Sequence, residues 1–203
     1  LPTHEDVKEM SETDKTLSLL DPRFLDTPAY AVEQSRQVAS VMADKSRKAM
    51  DLAMELLQGY DEAKAEQVAQ METDVDRFED ELGTYLVKLS SRQLSGKDSE
   101  TLNTILHCIG DFERISDHAR NVKEAAQEMY DKKLDFSDKA QEELKVFERA
   151  VHDILDITMN SFIKGDLNLA RQVEPMEEVI DGLSLDVKQR HVRRLRKGKC
   201  TIE

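Results

Sequence analysis

The sequence predicts an all-α protein built from long antiparallel helices, and three observations support this prediction. Seven glycines and four prolines among 203 residues provide too few turns for a fold of many strands. No proline lies between Ala29 and Glu174, so helices can run uninterrupted through that region. Apolar side chains recur at alternating steps of three and four, the spacing of a helical bundle core, at Val68, Met71, Val75, Phe78, Leu82, Tyr85 and Leu89.

Charge and hydropathy restrict the classes of partner. The chain carries 42 acidic and 29 basic side chains, a formal net charge of -13, which argues against a nucleic-acid partner. Its longest stretch without a charged residue, 101–110, is far shorter than the roughly 20 apolar residues that cross a bilayer. Cys108 and Cys200 are far apart, and no signal segment is present. We therefore expect a cytoplasmic, reduced chain that is a piece of a longer protein.

Turn-forming residues divide the chain into a leading segment and five predicted helices. Residues 1–27 are polar and lack a sustained period, so we expect a polar tether outside the core. Thr27 and Pro28 then form the pair favoured at a helix start. The predicted helices cover residues 28–58, 62–94, 97–130, 138–164 and 167–197, with breaks at Gly59, Gly96, the loop 131–137 and Gly165–Asp166, and with Ser137 as a cap.

An internal repeat defines the predicted domains. Residue pairs such as Met71 and Met176, or Asp76 and Asp181, match at a constant offset, so the first two helices are echoed by the last two. The counterpart of the third helix would begin near residue 203. We therefore predict a three-helix bundle over 28–131 and a second bundle of two helices over 138–203. Its open groove predicts either truncation or completion by a partner chain.

Carboxylates repeat at one-turn spacing beside the apolar faces. The pattern Glu-x-x-x-Asp places both side chains on one line of a helix. It occurs at Glu72 and Asp76, with Glu79 one turn further, at Glu113 and Asp117, with Asn121 one turn further, and at Glu177 and Asp181.

Two interpretations of these carboxylates stay open. Facing like charges repel, and a hard or borderline cation such as Fe, Mn, Mg or Ca, less often Zn, would relieve the repulsion. Alternatively, Arg77, Arg114 and Arg120 are near enough in sequence to form ordinary surface ion pairs. No Glu-x-x-His pair or Gly-rich phosphate loop is present, so a hydrolase or oxidase site is not predicted.

The end of the last helix is strongly basic. Seven Lys or Arg residues and no acid lie between Val187 and Cys200. The segment 188–199 therefore fits either an anionic lipid face or an acidic partner, or a solvated helix end whose cations offset the negative helix terminus.

Several ordered motifs carry a resemblance to a known family. The run IGDFERISDHARNV at residues 109–122 resembles the signature helix of PhoU-like domains. METDVD at 71–76 and MEEVID at 176–181 are similar to the companion motif of the preceding helix. The runs at 20–29 and 190–200 resemble the entry and the end of the PhoU-like region found at the C-terminus of bacterial sodium-dependent phosphate cotransporters.

The resemblance implies a fold and a set of ligands. The fold is a PhoU-like antiparallel three-helix bundle of up-down, spectrin-like helices, followed here by a second, incomplete bundle. The family's paired motifs hold multinuclear iron or zinc. The implied ligands are Glu72, Asp76, Glu113 and Asp117, with Asn121 in support and Glu177 and Asp181 as half of a second site.

The resemblance also implies a function. It indicates a non-enzymatic regulatory domain that controls phosphate uptake at the cytoplasmic face of the membrane. The implied partner is the membrane transport domain of the same polypeptide, of sodium/phosphate cotransporter type. The alternative is a metal-free helical interaction module that docks a partner helix or forms a homodimer, which would complete the second bundle.

Overall fold

The computed structural model describes residues 10–198. The first nine residues of the predicted tether and residues 199–203 lie outside the described part, and with them Cys200 and the last residue of the basic segment, Lys199. Six α-helices, one short 3-10 helix and no strand occur within 10–198, which confirms the all-α prediction. The α-helices are α1 (Glu12–Leu17), α2 (Pro28–Leu56), α3 (Glu62–Ser90), α4 (Gly96–Lys132), α5 (Asp138–Lys164) and α6 (Leu167–Arg196), and the 3-10 helix is Pro22–Asp26.

Polar caps explain where most of the helices begin. Side-chain oxygens of Asp61, Ser95, Ser137 and Asp166 accept hydrogen bonds from backbone N–H groups in the first turns of α3 to α6. The predicted Ser137 cap is thereby confirmed. Thr27 precedes Pro28 as predicted, but its hydroxyl donates to the Phe24 carbonyl instead of capping α2.

Most predicted helix boundaries agree with the structure to within two residues, and two differences have a local explanation or a larger size. The second long helix ends at Ser90, short of the predicted end at Leu94. Gly96 is the first residue of α4 and not a break, because Ser95 accepts the hydrogen bond of the Asp98 N–H and starts the helix there. The helix over 138–164 has the predicted bounds.

The core lies among α2, α3 and α4, which pack against one another. Its largest fully buried side chains are Phe78, Met42, Leu56, Leu82, Leu86, Leu89 and Ile105. All but one residue of the predicted stripe on α3 is buried, the exception being Met71, which is half-buried. Helix α5 packs against α2 and inserts Met159 into the same core.

The prediction of a tether over 1–27 is wrong for residues 12–27. Leu17 and Leu25 are 6% and 7% exposed and belong to the main core. The Tyr85 hydroxyl on α3 donates to the Asp21 carbonyl at 3.1 Å. Two short helices, α1 and the 3-10 helix, pack the apolar side chains of this segment against α2 and α3. Each helix is too short to show a hydrophobic period in the sequence.

Helix α6 is the most exposed long helix of the described chain. It packs against α5, and none of its residues is buried. No helix within residues 10–198 combines the length and the apolar character that a membrane crossing requires.

Candidate functional site

The predicted carboxylates of the first bundle meet at the edge of the α3–α4 interface. Val75 and Phe78 on α3, and Phe112 and Ala119 on α4, are buried, which fixes how the two helices are turned toward each other. The acidic side chains flank these buried positions and form one group, here named the acidic cluster, made of Glu72, Asp76 and Glu79 from α3 and Glu113 and Asp117 from α4.

Arg120 links the two sides of the acidic cluster. Its guanidinium forms an ion pair with Glu72 across the helix interface and a second one, at 3.1 Å, with Asp117 on its own helix. Glu72 is 8% exposed, so its charge is largely removed from water and needs this partner. Of the three arginines near the cluster in sequence, Arg77 pairs instead with Asp14 and Glu81, and Arg114 lies 3.9 Å from Asp111.

The rest of the cluster keeps unbalanced negative charge. Partial burial and the charge of Asp117 raise the pKa of Asp76. Partial burial also raises the pKa of Glu113, and the charges of Asp117, Asp76 and Glu79 raise it further. The carboxylates of Glu72 and Asp117 raise the pKa of Arg120. Within the described residues, Arg120 forms ion pairs with only two of the five carboxylates, Glu72 and Asp117. Asp76 and Glu113 have no ion pair among those residues, and their raised pKa values reflect partial burial and repulsion by the neighbouring carboxylates.

The donor set suits a hard cation, but Arg120 stands among the donors. Across residues 10–198, no three His, Cys, Asp or Glu side chains are arranged so that they could hold a metal ion. The carboxylates have the chemistry of iron, manganese, magnesium or calcium ligands. To bind such an ion, the Arg120 guanidinium must turn away and release Glu72 and Asp117.

The structure shows no side-chain hydrogen bond or ion pair between the remaining predicted ligands and this group within residues 10–198. Asn121 is exposed on α4, one turn beyond Asp117. Glu177 and Asp181 are both exposed on α6, which packs against α5. The structure therefore brings together Glu72, Asp76, Glu113 and Asp117, and it leaves the second pair on α6, which does not pack against α3 or α4.

Two members of the site were not among the predicted ligands. The charge of Glu79 raises the pKa of Glu113 across the interface. The position of Glu79 one turn beyond Asp76 in the sequence could have indicated that it belongs to the site. Arg120 lies three residues after Asp117 on the same face of α4, so spacing could indicate the pair within the helix. Its contact with Glu72 depends on how α3 and α4 are rotated, which no single-helix pattern contains.

Comparison with known proteins identifies the domain that contains this cluster. Residues 39–126 match the family described as PhoU domain.

The chain carries a PhoU domain.

The matched segment begins within α2, includes all of α3 and ends within α4, so the PhoU domain contains the complete acidic cluster. The chain is also similar to the phosphate-specific transport system accessory protein PhoU homolog 1 of Thermotoga maritima, with 23% identity over 179 residues, 85% of this chain and 76% of the relative. This similarity extends well beyond the PhoU domain match. No solved structure gives a significant match to the chain.

Proposed function

We propose that this chain is a regulatory, non-enzymatic element that controls phosphate uptake. Two observations support the proposal: the PhoU domain at residues 39–126, and the similarity to a relative whose name assigns it to a phosphate-specific transport system. The motifs at 20–29 and 190–200, which resemble the cotransporter-linked PhoU-like group, favour a membrane transport domain of the same polypeptide, of sodium/phosphate cotransporter type, as the partner. In this arrangement the chain lies at the cytoplasmic face of the membrane.

We further propose that the acidic cluster is the regulatory site and that it binds metal. The observation that carries this step is the meeting of five carboxylates from two neighbouring helices, inside the PhoU domain, with one guanidinium to offset them. Glu72, Asp76, Glu113 and Asp117 would hold the ion or ions, with Asn121 in support. Iron or zinc, in a multinuclear group, would supply positive charge that fastens α3 to α4.

In this proposal the site has two states, of which the structure contains the first. With Arg120 turned inward, the guanidinium forms ion pairs with Glu72 and Asp117 and offsets part of the negative charge of the cluster. With Arg120 turned outward, all the carboxylates are free to bind a cation. Glu177 and Asp181 would form half of a second site only if another helix packed beside α6 and faced them.

Uptake of radiolabelled phosphate by cells that carry the native gene tests the regulatory role. We expect the double variant Asp76→Asn/Glu113→Gln to change how uptake responds to external phosphate, because it removes two carboxylates but leaves both partners of Arg120 in place. The matched control is Glu66→Gln/Glu100→Gln, which removes one exposed carboxylate from α3 and one from α4 away from the cluster. Unchanged regulation of uptake in the cluster variant would contradict the role of the cluster. Unchanged regulation in a gene that lacks codons 28–198 would contradict the regulatory role of the chain.

A second candidate function is a metal-free interaction module, and one observation favours it. Helix α6 buries no residue, and exposed apolar side chains lie along the α5–α6 pair at Val146, Val179, Leu185 and Val192. An amphipathic helix of a partner, or a second copy of the chain, would cover such a face. Light scattering distinguishes these occupants, since a homodimer doubles the mass of the purified chain, whereas docking on the transport domain leaves it monomeric.

A further inference from the structure

A basic pocket lies where the end of α6 meets the beginning of α5. It is far from the acidic cluster in sequence and is built from other helices. The residues that line it are Ser137, Asp138, Lys139, Arg193, Arg194 and Lys197. Four of these side chains are cationic and one is acidic, on a chain whose formal net charge is -13.

Three of the four cations in the pocket have no acidic partner among the described residues. Lys139, Arg193 and Lys197 are exposed, and no carboxylate of residues 10–198 forms an ion pair with them. Elsewhere in the described chain, arginines and lysines are commonly paired with nearby acids, as Arg47 is with Asp44 and Asp51. The three side chains therefore offer charge and donors that no carboxylate of the described residues engages.

Arg194 forms the fixed wall of the pocket. Its Nη1 atom donates to Glu143 at 2.7 Å, and both side chains are only 14% exposed. Glu143 also lies 3.6 Å from Arg190, which helps to hold it in place. The Nε atom of Arg194 is enclosed and has no acceptor within the described chain. The guanidinium is thus held in one orientation by a carboxylate, and its enclosed Nε–H is left without an acceptor within the described chain.

The cations do not serve only to offset the end of their own helix. Basic residues in a last turn favour the negative C-terminal end of a helix, and Arg193, Arg194 and Arg196 lie in the last turn of α6. Yet this end of α6 lies beside the first turn of α5, a 27-residue helix whose N-terminal end is positive. Positive charge therefore accumulates from both helices, with Asp138 as the acid that lines the same pocket.

We propose that this basic pocket binds a phosphate group. Arginine and lysine are the side chains that bind phosphate oxygens through charge-assisted hydrogen bonds, and α5 adds N–H groups of its first turn. Arg194 gives a positive charge that is fixed in the pocket wall, while the exposed side chains of Arg193, Lys139 and Lys197 donate to the anion. The group belongs either to free inorganic phosphate or to an anionic lipid headgroup. This inference stands independently of metal binding by the acidic cluster, since the two sites share no residue.

Binding measurements with two probes test the proposal and separate the two sources. Titration calorimetry measures the binding of inorganic phosphate to the chain. Co-sedimentation measures the binding of the chain to phosphatidylcholine vesicles with or without phosphatidic acid. The test variant is Arg193→Gln/Lys197→Gln, and the charge-matched control is Lys88→Gln/Arg149→Gln, whose side chains are exposed and lie outside the pocket. All four positions are exposed, so both variants should keep the wild-type unfolding midpoint in urea.

We expect at least one probe to bind the wild type and the control with equal affinity. We expect the same probe to bind the test variant with an affinity that is lower by about tenfold or more. Binding of inorganic phosphate identifies a site for the free anion. Binding that requires phosphatidic acid, without binding of inorganic phosphate, identifies a lipid headgroup site. If neither probe binds the wild type, or if both variants weaken binding alike, the pocket has no such role and general electrostatic attraction explains any signal.

Discussion

Arg120 is the residue on which the electrostatic balance of the acidic cluster depends. It is the cation that joins α3 to α4 at this point, through Glu72 and Asp117. Glu72 is nearly buried, so loss of its partner leaves a carboxylate that water cannot reach well. Because the Arg120 side chain is 42% exposed, solvent weakens the stabilisation that its ion pair with Glu72 provides.

Replacement of Arg120 therefore gives the first prediction. Arg120→Ala should lower the free energy of unfolding by about 1 kcal/mol in metal-free buffer, measured by urea denaturation. Added zinc should then raise the melting temperature of the variant more than that of the wild type, because the competing guanidinium is gone. The control is Arg114→Ala, whose ion pair with Asp111 has both side chains more than 70% exposed. Equal effects of the two substitutions would show that the Glu72 contact adds nothing.

His152 gives a prediction for the dependence of stability on pH. Its Nδ1 atom lies 2.8 Å from the Asp51 carboxylate and thereby connects α5 to α2. The hydrogen bond to Asp51, followed by the charges of Asp51, Asp153 and Asp156, raises the pKa of His152 above its ordinary value of 6.5. The folded protein then binds the proton more tightly than the unfolded chain does.

The sign of the effect follows from this difference. The stabilisation by His152 is complete below pH 6.5 and is lost as the pH rises through the higher pKa of the folded state. We expect the difference in free energy of unfolding between the wild type and Asp51→Asn to shrink over that interval, in urea denaturation at a series of pH values. A difference that stays constant or grows with pH would contradict the link between Asp51 and the imidazole.

At the scale of elements, the segment before α2 is part of the folded unit. Leu17 and Leu25 enter the core, and Arg77 on α3 forms an ion pair with Asp14 at 2.7 Å. The described part of this segment therefore stabilises the α2–α3 pair from outside.

Removal of one apolar contact in this segment tests that role. Leu25→Ala should lower the free energy of unfolding by about 2 kcal/mol or more, because it deletes a buried side chain and leaves a cavity against α2 and α3. Met10→Ala is the control, since Met10 is 51% exposed and should change stability by less than about 0.5 kcal/mol. If Leu25→Ala behaves like the control in chemical denaturation, the segment is a tether after all.

The elements show what a single sequence can and cannot predict. Ser137 and Gly165 bound α5 because capping and a left-handed residue are local properties, and the 138–164 helix was predictable from them. The end of α3 at Ser90 was not, since the polar residues 91–93 and the single apolar residue Leu94 are compatible with either a helix or a turn. The carboxylates were predictable as lines on separate helices. Their union with Arg120 required the rotation of α3 against α4, which only tertiary packing sets.

At the scale of the whole molecule, the two halves of the repeat differ in what they bury. Helices α2 and α3 enclose a core together with α4. Helices α5 and α6 pack against each other, and only α5 also packs against α2. Repetition of the sequence pattern therefore does not bring equal burial, and α6 keeps its apolar side chains accessible. The PhoU domain with its acidic cluster lies in the well-packed half, and the basic pocket lies at the end of the open half.

Elemental analysis of the purified chain tests most directly whether the acidic cluster of the PhoU domain binds metal. The chain is produced with iron and zinc available and passed through gel filtration in buffer without added metal or chelator. Wild type, Asp76→Asn/Glu113→Gln and the control Glu66→Gln/Glu100→Gln are compared. We predict iron or zinc in the wild type and the control, and its loss from the cluster variant. Metal-free wild-type protein, or equal metal in all three, would contradict metal binding by this cluster and favour the interaction module.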